Sequence, residues 1–220
     1  MFWEEDEDSQ ASKPQDIVDM SFYLRGKTLP VDYASPLAQV VTDLINWQSE
    51  PQVFGIHLAA AGEEGNGWYR DENPEQVIYL PRRTRIVIRV HQSDKKNVLN
   101  LVNAELDIEG HSIKLEQGRE QFLSPITTQY ARHIASDEET EQAFLEHILD
   151  TLNTLNIRCK KMLCGKSRTI KTSHGIVRTR SLLLSDLSKE DALLLQKAGI
   201  GPHREIGCGF FLPHKSIQSL

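Results

Sequence analysis

Residues 199–209 read Gly-Ile-Gly-Pro-His-Arg-Glu-Ile-Gly-Cys-Gly, and this glycine-rich stretch follows a predicted helix and leads into the last predicted strand. Glycine adopts positive φ at little steric cost and lets phosphate groups approach backbone amides closely. The stretch does not match the dinucleotide fingerprint, because Arg204 stands where that motif needs glycine. The Gly-Lys-Ser triplet at residues 165–167 does not complete a phosphate loop either, since Lys160 replaces the first glycine of that motif. Arg204 favours phosphate binding over the alternative, a helix cap followed by a bulge.

The elements around this stretch are predicted in the order β-α-β-β-α-β. Capping boxes at residues 136–139 and 188–191 predict two helix starts, and Gly199 predicts the end of the second helix at Ala198. The first of these helices has an apolar face made of Phe144, Leu145, Ile148, Leu149 and Leu152. The predicted strands, with a turn at residues 173–175, are Thr127–Ile134, Arg158–Lys171, Gly175–Leu184 and Cys208–Pro213.

The first half of the chain predicts the same order of elements. Leu37, Val40, Val41 and Leu44 have helical spacing, and a second, short helix is predicted over Asp94–Asn103. Alternating apolar residues predict the strands Ile17–Leu24, Val53–Ala59, Thr84–Val90 and Leu106–Leu115. In the third of these, Ile86, Ile88 and Val90 are expected to face inward and Arg85 and Arg89 outward.

Two β-α-β-β-α-β units in tandem predict an α+β protein made of two ferredoxin-like, RRM-like domains. We expect the first domain over residues 15–122 and the second, with the glycine-rich loop, over residues 123–220. The acidic residues 1–14 are expected to form a disordered tail.

Charge is unevenly distributed along the chain. The 220 residues carry a net charge of −6, but residues 156–220 hold 12 Lys and Arg against 4 Asp and Glu. A basic final third predicts a polyanionic partner, and the alternative is a basic face that is exposed to solvent and has no partner. The chain has no apolar run long enough for a membrane helix and no secretory signal, and its three cysteines form no disulfide framework, so we expect a cytoplasmic protein.

The glycine-rich stretch resembles the loop of the repeat-associated RNA-binding superfamily of CRISPR systems. With the tandem units, it is similar to the sixth CRISPR-associated protein family, the endoribonucleases that cut precursor CRISPR RNA. Three further stretches carry the resemblance, which covers about residues 15–217: residues 28–33 (Thr-Leu-Pro-Val-Asp-Tyr), 80–85 (Leu-Pro-Arg-Arg-Thr-Arg) and 207–215 (Gly-Cys-Gly-Phe-Phe-Leu-Pro-His-Lys).

The resemblance implies metal-independent cleavage within each repeat, without a cofactor. The 2′-hydroxyl attacks the scissile phosphate and leaves a 2′,3′-cyclic phosphate and a 5′-hydroxyl. The implied partners are the precursor repeat, folded as a stem-loop, and the mature CRISPR RNA, on whose hairpin the protein stays as it joins the subunits of an effector complex. Two alternatives are a non-cleaving RNA-binding subunit of such a complex and a ferredoxin-like interaction or small-molecule protein with a structural glycine loop.

The candidate catalytic residues are His57, Tyr33 and Lys27. The family places its catalytic histidine near the first helix and the following strand, which matches His57, and histidine suits either proton transfer. Some relatives carry histidine where this chain has Tyr33, and tyrosine can orient the substrate or donate a proton. Lys27 is a candidate for stabilising the charge of the transition state. The alternative for His57 is a structural histidine on a half-buried strand, with its hydrogen bonds made within the protein. His133 is expected to face the groove between the domains.

The candidate RNA-binding residues are the glycines of the loop and a set of basic side chains. On the strands of the predicted hairpin, alternation places Arg178 and Arg180 on one face, as tracking a row of phosphates requires. The full set is Gly199, Gly201, His203, Arg204, Gly207, Gly209, Arg82, Arg83, Arg85, Lys160, Lys161, Lys166, Arg168, Arg178 and Arg180. We expect no metal site, because Cys159 and Cys164 would point to opposite faces of a strand and no second ligand pair follows.

Overall fold

The computed structural model describes residues 16–47, 55–59 and 77–214, which form two β-sheets, a short two-stranded ribbon and four α-helices. The helices are α1 (Ala34–Leu44), α2 (Lys95–Leu99), α3 (Glu141–Thr154) and α4 (Lys189–Ala198). The strands are β1 (Ile17–Gly26), β2 (Thr28–Pro30), β3 (Gly55–Ala59), β4 (Val77–Tyr79), β5 (Arg85–His91), β6 (Glu105–Ile108), β7 (His111–Gln121), β8 (Gln129–Ala135), β9 (Lys161–Thr172), β10 (Gly175–Ser185) and β11 (Leu212–Pro213). The predicted disordered tail lies outside the described residues, as does the start of the strand predicted at Val53.

The first sheet is antiparallel, with the strand order β3-β5-β1-β7-β6. Alternate residues of β1 and β5, including Met20, Phe22 and Ile88, are buried on one face of this sheet. Leu37 and Val41 of α1 complete this hydrophobic core, whereas Leu44 is exposed at the end of the helix.

The second sheet is also antiparallel, with the order β11-β8-β10-β9. Its core joins Leu182 and Leu184 of β10 to Phe144 and Ile148 of α3 and to Leu195 of α4. The predicted apolar face of α3 is therefore confirmed at its centre. Ser188 caps α4 as predicted, because its side chain accepts a hydrogen bond from the amide of Asp191.

Several predicted boundaries were wrong. The helix predicted from the capping box at residues 136–139 begins later, because Thr140 is the N-cap and accepts a hydrogen bond from the amide of Ala143 at 3.1 Å. The strand predicted over Leu106–Leu115 is the hairpin of β6 and β7, whose turn residues Glu109 and Gly110 both have positive φ. The last strand is only two residues long, since Gly207 and Gly209 have positive φ and break the extended conformation.

The prediction that Arg89 faces solvent was also wrong. Its side chain is fully buried and forms two hydrogen bonds with the Asp19 carboxylate, at 2.7 and 2.8 Å. It also donates to the carbonyl oxygens of Gln196 and Phe211, which belong to the second half of the chain. The pattern of alternation placed Arg89 on the correct face of the sheet, but the elements around α4 and β11 cover that face.

Among the described helices, none is long and apolar enough to cross a membrane.

Candidate active site

A cleft lies where the first sheet and α1 meet β8 and the glycine-rich loop. His57 on β3 and Tyr33, the residue before α1, line it from the first half of the chain. Arg132 and His133 on β8, with Gly207 of the loop, line it from the second half. The remaining lining residues are Ala34, Leu37, Ile56, Leu58 and Ile206. The fold thus brings together two of the three predicted catalytic residues and the predicted glycine loop.

His57 is half-buried in this cleft, and its environment favours the neutral imidazole. The His57 ring stacks on the ring of Phe210, with centroids 5.8 Å apart and planes inclined by 18°. Burial is the main cause that lowers the pKa of His57 from 6.5 to about 4, and the positive charges of Arg132 and Arg89 lower it further. At neutral pH, His57 can therefore accept a proton from a bound group.

A bulge in β8 places Arg132 and His133 at the cleft. Ala131 pairs with Leu182 and Ile134 pairs with Arg180, so that two residues of β8 lie opposite the single residue Ser181 of β10. His133 is held by a contact of 3.0 Å between its Nδ1 and the Oγ1 of Thr179. Arg132 was not among the site residues predicted from the sequence. The available signal was the spacing of two buried residues, Ala131 and Ile134, which departs from strict alternation.

The glycine-rich loop packs directly against β3. Gly207 has φ +89°, and a Cβ atom there would lie 2.7 Å from the carbonyl oxygen of Ile56, the residue before His57. Gly209 has φ +66°, and its Cβ would lie 2.2 Å from the carbonyl oxygen of Ile200. Both positions need glycine for conformation and for space. The loop therefore has a structural role in the cleft, whatever ligand it binds.

The other members of the loop differ in their exposure. Gly199 ends α4 with φ +62°. Gly201 and His203 are exposed, and His203 Nδ1 lies 3.5 Å from a carboxylate oxygen of Glu205. Arg204 turns back inside the loop and donates to the carbonyl oxygen of Ala198, while burial and then the charge of Arg89 lower its pKa to about 10. Contact between Arg204 and RNA stays a prediction, but this side chain already holds the loop together.

Lys27 lies outside the cleft. It is exposed between β1 and β2, and it is absent from the described residues that line the cleft. The charge next to His57 comes instead from Arg132. Assistance of His57 by Lys27 stays a prediction that this placement does not support.

The basic residues predicted to bind RNA lie on two surfaces. On the hairpin of β9 and β10, Arg180 is half-buried and donates to the Glu139 carbonyl at 2.8 Å, and Lys161 pairs with Asp186. Lys160 lies just before β9, outside the strand predicted to include it. The exposed members of this set are Lys160, Lys161, Lys166, Arg168 and Arg178.

The second basic surface lies on the first half of the chain. Arg82 and Arg83 are exposed in the turn before β5. Arg85 stacks over the ring of Tyr23, with Cζ 4.4 Å from the centroid, and donates to the tyrosine oxygen at 2.5 Å. Arg85 is thus already engaged within the protein. Within the described ranges, no three His, Cys, Asp or Glu side chains lie close enough to hold a metal ion.

Comparison with known proteins identifies similar chains. The sequence pattern of one protein family, described as Cas6 Crispr, matches residues 18–216. The chain is 26% identical over 200 residues to the CRISPR-associated endonuclease Cas6 of Myxococcus xanthus, covering 89% of this chain and 81% of that protein. A solved CRISPR-associated protein Cas6 matches the fold with a TM-score of 0.61 at 10% identity, covering 90% of this chain and all of the other. Thermus thermophilus Cse3, bound to an RNA representing a pre-cleavage complex, matches with a TM-score of 0.53 at 12% identity, covering 90% and 98% of the two chains.

Proposed function

We propose a function for this chain from the premise that it belongs to the Cas6 family of CRISPR-associated proteins. In this proposal the chain is a metal-independent endoribonuclease that cuts precursor CRISPR RNA within each repeat. The observation that carries this proposal is the cleft in which His57 and Tyr33 face Arg132 beside the glycine-rich loop. The endonuclease name of the Myxococcus xanthus relative and the RNA bound to Thermus thermophilus Cse3 support the substrate class.

We also infer that the two halves are ferredoxin-like domains, over residues 15–122 and 123–220. In each half, four strands have the spatial order fourth, first, third, second along the chain: β7-β1-β5-β3 and β11-β8-β10-β9. Two helices separate these strands in the order β-α-β-β-α-β. The likeness to solved Cas6 folds supports this assignment.

In the proposed reaction, the neutral imidazole of His57 takes the proton of the 2′-hydroxyl next to the scissile phosphate. The freed 2′-oxygen attacks phosphorus, the bond from phosphorus to the 5′-oxygen breaks, and a 2′,3′-cyclic phosphate forms. Tyr33 donates the proton that the leaving 5′-oxygen requires, and Arg132 stabilises the extra negative charge on the phosphoryl oxygens. These groups account for each proton and charge, so the reaction needs no metal ion. Because the low pKa keeps His57 neutral at neutral pH, its imidazole is available to accept this proton.

Substrate binding is assigned to the second domain. The exposed cations of the β9–β10 hairpin offer positive charge, and the exposed Gly201 and His203 of the glycine loop offer backbone and imidazole groups. A side chain cannot read the deep major groove of an RNA stem, so these residues would recognise its backbone and shape. Because product release would require breaking all of these contacts, we further propose that the protein stays on the hairpin of the mature RNA and carries it into an effector complex.

Cleavage of a labelled repeat RNA in EDTA tests the proposal. The same RNA with a 2′-deoxy nucleotide at the cut site removes the attacking group, and His57→Ala removes the base. His147→Ala, which changes an exposed histidine on α3, is the matched control. We expect cutting in EDTA by the wild type and the control, and none with the deoxy RNA or the His57 variant.

The other outcomes separate the alternatives. Cutting that persists in His57→Ala would overturn the role of His57 but keep the endoribonuclease. Tight binding without cutting would identify a non-cleaving RNA-binding subunit. Absence of binding to any repeat RNA would overturn the proposed function.

A further inference from the structure

An exposed tyrosine stands among basic residues on the first half of the chain, away from the cleft. Tyr79 ends β4 with 76% of its surface exposed, although it lies on a strand. In the β2–β4 ribbon it pairs with Thr28, and the next pair, Leu29 and Ile78, packs into the core. Since directly paired residues share a face, Tyr79 and Thr28 lie on the outer face of the ribbon.

One basic residue lies beside Tyr79 through a backbone hydrogen bond, and two more follow Tyr79 closely in the chain. The amide of Leu80 donates to the carbonyl of Lys27 at 2.9 Å, so Lys27 lies beside the end of β4. The chain then turns through Arg82 and Arg83, and the amide of Thr84 closes this turn on the carbonyl of Pro81 at 3.0 Å. Lys27, Arg82 and Arg83 are all exposed. We name the set of Lys27, Thr28, Tyr79, Arg82 and Arg83, which lies at the end of the ribbon and in the turn that follows it, the Tyr79 surface.

The Tyr79 surface is anchored on both sides. The amide of Leu24 on β1 donates to the carbonyl of Thr84 at 2.9 Å, which ties the basic turn to the first sheet. The Oγ1 of Thr28 lies 2.8 Å from Nδ1 of His111 on β7, which ties β2 to the same sheet. The tyrosine ring and its basic neighbours are therefore presented by a fixed backbone.

We propose that the Tyr79 surface binds one unpaired nucleotide of an RNA strand, with the base stacked on the Tyr79 ring and the flanking phosphates on Lys27, Arg82 and Arg83. An exposed aromatic ring accepts any base by stacking, and neighbouring cations neutralise the backbone. The five residues that define the surface carry three positive charges and no negative one, which complements a nucleic acid. This inference rests on the proposed function and extends it to a segment of the repeat outside the stem. Lys27 then acts in binding, and its position outside the cleft is explained.

Equilibrium binding tests the inference with two fluorescein-labelled probes. One is the full repeat RNA with its unpaired flanks, and the other is the same stem-loop with the flanks removed. The variants are Tyr79→Ala, Tyr79→Phe and the double variant Arg82→Ala with Arg83→Ala. Phe122→Ala is the control, because Phe122 is another aromatic side chain with 59% of its surface exposed.

We expect Tyr79→Ala to weaken binding of the full repeat at least about fivefold, the lower range for the loss of one base–aromatic stack. Tyr79→Phe keeps the stacking ring and should stay within twofold of the wild type, as should Phe122→Ala. The trimmed stem-loop should bind Tyr79→Ala and wild type alike. The double arginine variant should lower the slope of log K against log salt by about 1.4, or about 0.7 for each single-strand phosphate contact.

Equal binding of the full repeat by Tyr79→Ala and wild type would overturn the inference while leaving the proposed function intact. A loss in Tyr79→Phe as large as that in Tyr79→Ala would also overturn it, because the hydroxyl rather than the ring would then make the contact. If the wild type binds neither probe, the proposed function itself fails.

Discussion

The ring of Phe210, from the segment that follows the glycine-rich loop, stacks on the imidazole of His57 on β3. The Phe210 ring also lies 4.0 Å from the guanidinium carbon of Arg89. One aromatic residue of the second half of the chain thus covers His57 of the first half and contacts the buried Arg89, which bonds to both halves. The environment of His57 therefore depends on how the two halves of the chain pack.

Replacing Phe210 should change how cleavage depends on pH. Burial is the main cause of the low pKa of His57, about 4, so Phe210→Leu should let water reach the imidazole and raise the pKa toward 6.5. Below its pKa, His57 is protonated and cannot accept the proton of the 2′-hydroxyl. The single-turnover rate at pH 5.5 should therefore be close to the rate at pH 7.5 in the wild type and clearly lower in Phe210→Leu.

Two controls make this pH measurement specific. Phe122→Leu changes an exposed aromatic residue and should keep the wild-type profile. His133→Gln, introduced into the wild type and into Phe210→Leu, tests whether protonation of the other histidine of the cleft causes the fall in rate at low pH. Superimposable profiles for Phe210→Leu and wild type would contradict the prediction.

Arg132→Ala should slow cleavage at saturating RNA. Loss of one group that stabilises transition-state charge commonly costs about 10²–10³ in rate. Arg119→Ala removes an exposed arginine of β7 and serves as the matched control. The check is the single-turnover rate with the enzyme in excess. If the Arg132 variant only weakens binding and keeps its saturated rate, Arg132 belongs to the binding surface instead.

Asp19→Ala should strongly destabilise the fold. It leaves the fully buried Arg89 without its carboxylate partner, and breaking a buried pair in this way costs about 3–5 kcal/mol. Glu116→Ala removes the partner of Arg25, whose side chain is 60% exposed, and should cost less than about 1 kcal/mol. Urea unfolding of the two variants measures the difference. Similar losses in both would show that the buried pair contributes no more than a surface pair.

Alanine at Gly209 should cost more stability than alanine at Gly110. Both residues have positive φ, at +66° and +85°, so both substitutions introduce backbone strain of about 1–2 kcal/mol. Only at Gly209 does the new Cβ also meet a backbone atom, 2.2 Å away, whereas nothing lies within 4 Å of a Cβ at Gly110. Urea unfolding measures how much more free energy of unfolding Gly209→Ala loses than Gly110→Ala, and this difference is the cost of the close contact with the Ile200 carbonyl. Equal losses in the two variants would mean that the loop relieves this contact by moving, without further loss of stability.

The hairpin cations should account for much of the salt dependence of RNA binding. Replacing Lys166, Arg168 and Arg178 with alanine should reduce the slope of log K against log salt by up to about 2–3, if each contacts one phosphate. Lys161 pairs with Asp186, so Lys161→Ala should change the slope less. An unchanged slope in the triple variant would show that the RNA phosphates do not contact these three residues of the hairpin.

The order of strands and helices could be predicted from the sequence because it depends on local patterns. Alternating apolar residues defined β1 and β5, helical spacing defined α1, and the Ser188 capping box with Gly199 bounded α4. The start of α3 was predicted too early because Thr140, four residues after Ser136, is the residue that caps the helix. The β2–β4 ribbon was missed because its strands have only three residues each.

The resemblance to the family, the positions of the loop glycines and the places of Tyr33 and His57 around the first helix could all be inferred from local sequence patterns. Which side chains line the cleft depends on how distant parts of the chain pack. Arg132 lies in the same cleft as His57 because a bulge in β8 faces β3, and Arg89 is buried because residues of the second half of the chain cover its face. Alternation reports which side of a strand a residue occupies, but whether that side meets solvent depends on contacts between residues about a hundred positions apart.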